Sequence, residues 1–426
     1  MNSLPSTVNY AEAIPSLPEN ATRYSVALQP VNGSVFAPSS QITFQYPNRG
    51  YLIPDSVYLR YKLAWTATAA GGGIATSILG TPFFTPFQRL ETQFGSVTVD
   101  SINNYHQVCN MLTNTTMDWA QKYGNQYNYG WNSAAPATTE QMDGSAIAAA
   151  DGATASLSLA GPLPCLLTNI TDKLVPLFAM PTITQVLTID SLSNIMLNST
   201  NFSATVPLVI SNVELCFDFI ELGSEVDAMV RGMGPKLYIK SQSFSNASVT
   251  VPAGANGSQS YIFNQRYASV KGAFVLMSGG AVNKLFDAVD STNNSGSISL
   301  NVSGVQYPQK PYSTLNNKAG IVIELRKVMG SIYDKNNSIA INAAEFNQLD
   351  TSITTVPIPG KFYCGFNLQK LHSNALLTGI STNNSNITVN IEQTVAVTVQ
   401  RQCNLILAYD ALLEIDISLK QASVKV

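Results

Sequence analysis

Residues able to do chemistry are scarce in this chain. Its 426 residues hold two histidines, His106 and His372, and five scattered cysteines, Cys109, Cys165, Cys216, Cys364 and Cys403. His106 and Cys109 stand three apart in a stretch of helical periodicity, so both can share a face as a thiol and its base would. A working nucleophile also needs a group to orient the base and donors for an oxyanion, and the sequence around the pair supplies neither. His372 lies in the polar turn Leu371-His-Ser-Asn-Ala375. Two acidic groups, Glu221/Glu225/Asp227 and Asp410/Glu414/Asp416, offer the paired carboxylates of a glycosidase, which act roughly 5–10 Å apart. In the second group Glu414 and Asp416 share one strand face while Leu413 and Ile415 share the other. That is the pattern of structural acids meeting Lys or Arg across an edge.

The remaining motifs are missing. There is no C-x-x-C pair for zinc, no phosphate loop and no Asp-rich calcium loop, and Gly71-Gly-Gly73 is followed by no basic residue. No catalytic residue, metal or cofactor is therefore expected, and the chain reads as a non-enzyme. Five aromatics, Trp119, Tyr123, Tyr127, Tyr129 and Trp131, fall close together. Rings so grouped stack on bases, sugars or a neighbouring subunit. With no basic cluster around them, a subunit interface is the first reading and carbohydrate the second.

Composition narrows the class. Hydrophobic residues make up 45% and charged residues only 12%, about half the usual share. A chain so poor in charge hides much of its surface against other copies. The net charge of −3 and the absence of any Lys/Arg run give no field for nucleic acid. Apolar stretches such as Gly272–Met277 are too short to span a bilayer. The N-terminus shows no secretory signal, so the frequent Asn-x-Ser/Thr sequons read as by-products of an Asn/Ser/Thr-rich composition. The odd, dispersed cysteines are expected as buried free thiols.

The elements that must carry these residues are strands. Val57, Leu59, Tyr61 and Leu63 alternate with more polar neighbours, between turn signals at Pro47–Gly50 and Gly71–Gly73. Further strands are predicted over Arg89–Thr98, Ser156–Leu159, Ile183–Ile189 and Val206–Leu222. A second set follows over Lys236–Ser243, Ser269–Met277, Ser297–Val302, Ile387–Ile391, Val395–Val399 and Leu405–Ile417. One helical insert interrupts each half. Tyr105, Val108, Leu112, Thr115, Trp119 and Tyr123 mark the first, with Ser101 or Asn103 as its cap. Ile321, Val322, Leu325, Val328 and Met329 mark the second, which Gly330 ends, and a short helix capped by Asn342 follows at Ala343–Leu349. A long loop, about 127–151, separates the first insert from the next strand.

The halves also echo each other directly. Phe217-Asp218 and Tyr409-Asp410 each sit in an apolar strand shortly before an acid, Glu221 or Glu414. The expected organisation is an arm over residues 1–21, a first β domain over 22–222, a linker over 223–235 and a second β domain over 236–426. The fold class is all-β, with antiparallel pairing.

Several segments resemble double jelly-roll major capsid proteins, the group shared by virophage, tailless-phage and adenovirus-like capsids. They are Pro86–Tyr105 leading into a helix, Val175–Ile183, Leu376–Val389 and the final Tyr409–Ile415. The resemblance implies two consecutive eight-stranded jelly rolls with short helical inserts. It implies a homotrimer presenting six barrels as a pseudo-hexagonal tile of an icosahedral shell, made in the host cytoplasm and residing in the virion. Implied partners are other copies of the chain, minor and penton capsid proteins, and an internal membrane beneath the tile; direct nucleic-acid binding is not expected. The arm, Met1–Asn20, carries no Lys or Arg to grip lipid headgroups. Two other readings stay open: a carbohydrate-binding or carbohydrate-active β-sandwich protein, and a bacterial surface-layer or adhesin protein.

Overall fold

Strict alternation along one strand sets the pattern for the chain. Leu59, Tyr61, Leu63 and Trp65 are buried while Tyr58 and Arg60 face out, as a pleated strand with one core face requires. The computed structural model describes residues 21–66, 76–78, 80–131, 145–147, 154–197, 208–279, 285–315, 318–330, 339–347, 349, 360–370 and 377–426. The arm up to residue 20, His372 and most of the loop over 127–151 lie outside them.

Eight long strands occupy the first half: β1 (Thr22–Leu28), β2 (Gln41–Gln45), β3 (Tyr58–Thr66), β4 (Phe87–Phe94), β5 (Val97–Asn103), β6 (Thr154–Pro162), β7 (Ile183–Ile189) and β8 (Val209–Glu221). Eight more occupy the second: β9 (Lys236–Val251), β10 (Gly257–Phe263), β11 (Val270–Ser278), β12 (Ser297–Val302), β13 (Val305–Ser313), β14 (Cys364–Asn367), β15 (Ile387–Gln393) and β16 (Arg401–Asp416). The long strands of the first half pair as β1-β8-β3-β6 and β2-β7-β4-β5, and those of the second as β9-β16-β11-β14 and β10-β15-β12-β13. Adding eight to each strand number of the first half reproduces the second. Each set is a jelly roll: two four-strand antiparallel sheets in which the first strand pairs with the last. A final strand, β17 (Gln421–Lys425), pairs with the end of β16. Among the described residues no strand of one half pairs with a strand of the other.

Inward-facing residues fill both barrels. Ile42, Phe44, Leu59, Leu63, Leu187 and Phe217 are buried in the first, and Ile298, Leu300, Val389, Leu405 and Leu413 in the second. At about 25 cal/mol per Å² of apolar area removed from water, these faces supply the main drive for closing each barrel.

Several expected elements change on folding. Arg89–Thr98 is not one strand but the hairpin β4–β5, turned at Gly95 with φ 61°; a glycine adopts that left-handed geometry without steric cost. The first insert is three helices, α1 (Tyr105–Thr116), α2 (Trp119–Gly124) and α3 (Gln126–Tyr129). Ser101 and Asn103 belong to β5; Asn104 holds the cap position of α1 without a side-chain cap, whereas Asp118 and Gln121 form a capping box on α2. The expected linker contains a helix, α4 (Ser224–Gly232). The second insert is α5 (Lys318–Val328), with Gly330 at φ 72° beyond it, and α6 (Ala343–Phe346) has the predicted Asn342 cap, closed into a capping box by Glu345. Both inserts lie in the connection from the fifth to the sixth strand of their barrel. Val395–Val399 forms no strand; Val397 exchanges backbone hydrogen bonds with Gly254 and Ala255 in the turn before β10, and no ladder extends from them.

Candidate functional site

The five clustered aromatics separate once the chain folds. Tyr129 and Trp131 are 5% and 3% exposed and belong to the core. Gly130 between them takes φ 79° beside Leu159, turning both rings inward. Trp119 and Trp131 flank the fully buried Lys122, whose Nζ lies 5.9 and 5.5 Å from their ring centres. The same ammonium donates to Asn114 Oδ1 at 2.5 Å. A buried cation held by ring faces and an amide is a structural device. Tyr123 and Tyr127 alone of the five are largely exposed.

Most of the candidate catalytic groups among the described residues are likewise spoken for. His106 is buried; its Nδ1 accepts from the Gln107 amide and its Nε2 donates to Asp190 Oδ2, both at 2.8 Å. All five cysteines are free and buried. Burial pushes the Cys165 thiol up to about 11 and raises Cys109, Cys364 and Cys403 as well, so these thiols resist forming the nucleophilic thiolate. Glu414 meets Lys236 and Lys425, Glu221 lies 3.7 Å from Arg49, and Asp227 accepts from Tyr51 at 2.8 Å. No cluster of His, Cys, Asp or Glu among the described residues is arranged to hold a metal. No described helix is long and apolar enough to cross a membrane.

The repeated aspartates prove to be equivalent by register. Asp218 on β8 lies opposite Ser25 of β1, and Asp410 on β16 lies opposite Gln242 of β9. Two residues before each partner stands the cation that the aspartate pairs with: Arg23 for Asp218 and Lys240, at 3.6 Å, for Asp410. The acids that follow are not equivalent. Glu221 lies opposite Thr22, and the same count from Asp410 reaches Leu413, not Glu414. One residue of difference places a side chain on the opposite face.

Where the two barrels meet, the chain builds a seam of buried hydrogen bonds. Asp100, on β5, accepts from the Leu166 amide at 3.1 Å, from Ser243 Oγ at 2.8 Å and from the Tyr409 hydroxyl at 3.2 Å. Ser243 and Tyr409 belong to the second barrel. Burial raises the Asp100 carboxyl above its ordinary value, opposed by the Ser243, Leu166 and Tyr409 bonds. Helix α1 continues the seam. Gln107 Nε2 donates to Ser278 Oγ at 3.2 Å and to the Leu285 carbonyl at 2.8 Å, and Asn114 Nδ2 donates to the Tyr363 hydroxyl at 3.3 Å. Nearby, Asn169 donates to the Gln242 carbonyl at 2.9 Å and Ser241 to that of Leu166. Sequence reasoning missed this site. Its signal was the polar stripe Gln107, Asn110, Asn114 along one face of α1, which reads as solvent-facing until a partner surface is known. Asn110 accepts from Thr81 within the first barrel.

The chain is similar along nearly its whole length to solved viral capsid proteins. VP54 of PBCV-1, fitted into a reconstruction of the virophage Sputnik, aligns with a TM-score of 0.62 at 12% identity over 97% of this chain and 98% of that one. The Faustovirus major capsid protein aligns at 0.59 and 11% identity over 96% and 92%. The mavirus major capsid protein aligns at 0.55 and 12% identity over 100% and 95%. No family model matches the chain, and no curated protein does. At this identity the likeness is one of fold, and together with the strand order it establishes a double jelly roll.

Proposed function

We propose that this chain is a structural major capsid protein whose homotrimers tile an icosahedral viral shell. The observation that carries the reading is a pair of jelly rolls of identical strand order, locked by a buried polar seam into one block. On this reading the barrels are residues 22–222 and 236–426, with 223–235 joining them and 1–21 serving as an arm. Three such blocks around one axis present six barrels, so a threefold particle takes a hexagonal outline, as closed cyclic symmetry allows. Low surface charge supports extensive contact between copies, and Tyr123, 51% exposed, is an aromatic suited to that contact. The spoken-for histidine, thiols and carboxylates support a structural rather than catalytic role. Neighbouring capsomers are the partners favoured, with minor and penton proteins and a membrane beneath the shell as further ones.

Light scattering coupled to size exclusion tests this directly. Three copies of the 45.7 kDa chain give about 137 kDa for a closed threefold particle, and negative-stain images should show hexagonal tiles. A stable monomer that assembles no further would overturn the proposal.

A further inference from the structure

On the outer face of the first barrel, β3, β6, β8 and α3 border an open cavity of about 530 Å³, within the size range of small-molecule sites. Its floor departs from regular sheet. The β8–β3 ladder slips between Ser211 and Glu214, and Asn212 in the slip takes φ 52°. Such a bulge interrupts the ladder and re-aims side chains, and both Asn212 and Glu214 line the cavity. The matching ladder of the second barrel, β16–β11, is regular from Gln402 to Ala408 and slips instead between Val270 and Gly272, so a bulge at this place belongs to the first barrel alone.

The lining sorts into three chemical parts. Glu214 is fully engaged: Gln29 Nε2 donates to it at 2.7 Å and Arg60 Nε donates to its other oxygen. Lys62, half-buried, has no carboxylate partner among the described residues, which leaves one uncompensated positive charge. Tyr127, 88% exposed, stands at the wall as a free ring face.

We propose that this cavity binds a saccharide bearing a carboxylate. The apolar face of a pyranose would rest on Tyr127, its hydroxyls would meet the Asn212 and Gln29 amides, and its carboxylate would pair with Lys62. A wholly apolar ligand would leave those polar groups covered and unpaired, a cost that selects against it. A polyphosphate chain calls for several free cations where the site offers one. This inference does not rest on the capsid reading, because the cavity lies within a single chain.

Saturation-transfer NMR on the full-length protein, with methyl glucuronide and N-acetylneuraminic acid against methyl glucoside, tests it. Transfer to the acidic probes is expected. Tyr127→Ala should weaken binding of every sugar by about tenfold, and Lys62→Gln should weaken the acidic probes by about tenfold while sparing the neutral one. Both changes are at the surface, and circular dichroism verifies that each variant is folded. No transfer to any probe, an undiminished signal in folded Tyr127→Ala, or equal binding of acidic and neutral sugars would overturn the assignment. So would protection of the cavity strands from hydrogen exchange on assembly, which would show a second copy filling the space.

Discussion

Asp100 and Glu414 pull stability in opposite directions as pH changes. Burial raises the folded-state pKa of Asp100. Its contribution is therefore complete below the unfolded value of about 3.9 and is lost as pH rises through the folded value. Glu414 is held low by Lys236 and then Lys425. Its contribution is present above about pH 4.3 and is lost as pH falls through the folded value. Asp100→Asn removes the titration, and its single oxygen accepts either from Tyr409 or from Ser243 and Leu166, which bond opposite oxygens of the carboxylate. Urea unfolding from pH 4 to 7 should thus show a flatter profile than wild type, and an unchanged slope would contradict the role given to this carboxyl. Asp100→Ala strands three donors and should cost about 3 kcal/mol. Trp131→Ala should cost about 3 kcal/mol as a core truncation, read by thermal denaturation, and where the variant folds its sugar binding should persist.

The strands were legible in the sequence because alternation and burial coincide: Ile183–Ile189 and Ser297–Val302 are strands to the residue. Alternation alone was not enough at Val395–Val399, where Val397 pairs with the turn at Gly254 and Ala255 and not with a strand. Turns hidden in one glycine, as at Gly95, joined two strands into one apparent segment. The fifth-to-sixth connection was visible as helical periodicity in both halves, but its destinations were not. Helix α5 packs Ile321 and Leu325 into its own barrel, close against β14, whereas α1 reaches across to the second barrel with Gln107 and Asn114. The candidate site stayed unreadable for that reason: buried polar pairs follow from which surfaces meet, and composition does not encode it. A Cβ on Gly296 would lie 1.9 Å from the Glu392 carbonyl oxygen, where backbone has little room to yield. Gly296→Ala is expected to destabilise the second barrel by about 3 kcal/mol or more, measured by denaturant unfolding; a change under half that would show the β12–β15 approach to be looser than described.

At the scale of the whole molecule, two barrels of one topology share the same frame. Their equivalent aspartates keep the same pairing, Arg23 with Asp218 and Lys240 with Asp410, while the positions three residues on diverge to Glu221 and Leu413. Because the seam couples the barrels, the chain should unfold in one cooperative step. Replacing Asp100 and Gln107 together by Ala should split that step in two by calorimetry; a single undivided transition would place the coupling elsewhere. The seam also bears on how the chain is made. The first barrel closes only when β8 lies beside β1, and it then waits for the second half to be synthesised. During that interval the face it shows carries Asp100, Gln107 and Asn114, groups that water can satisfy. A nascent half-protein finished with an oily face would attract other chains at the ribosome. One finished with a wettable face can wait, and its lock engages only with the β9 and β16 that follow it on the same strand of polypeptide.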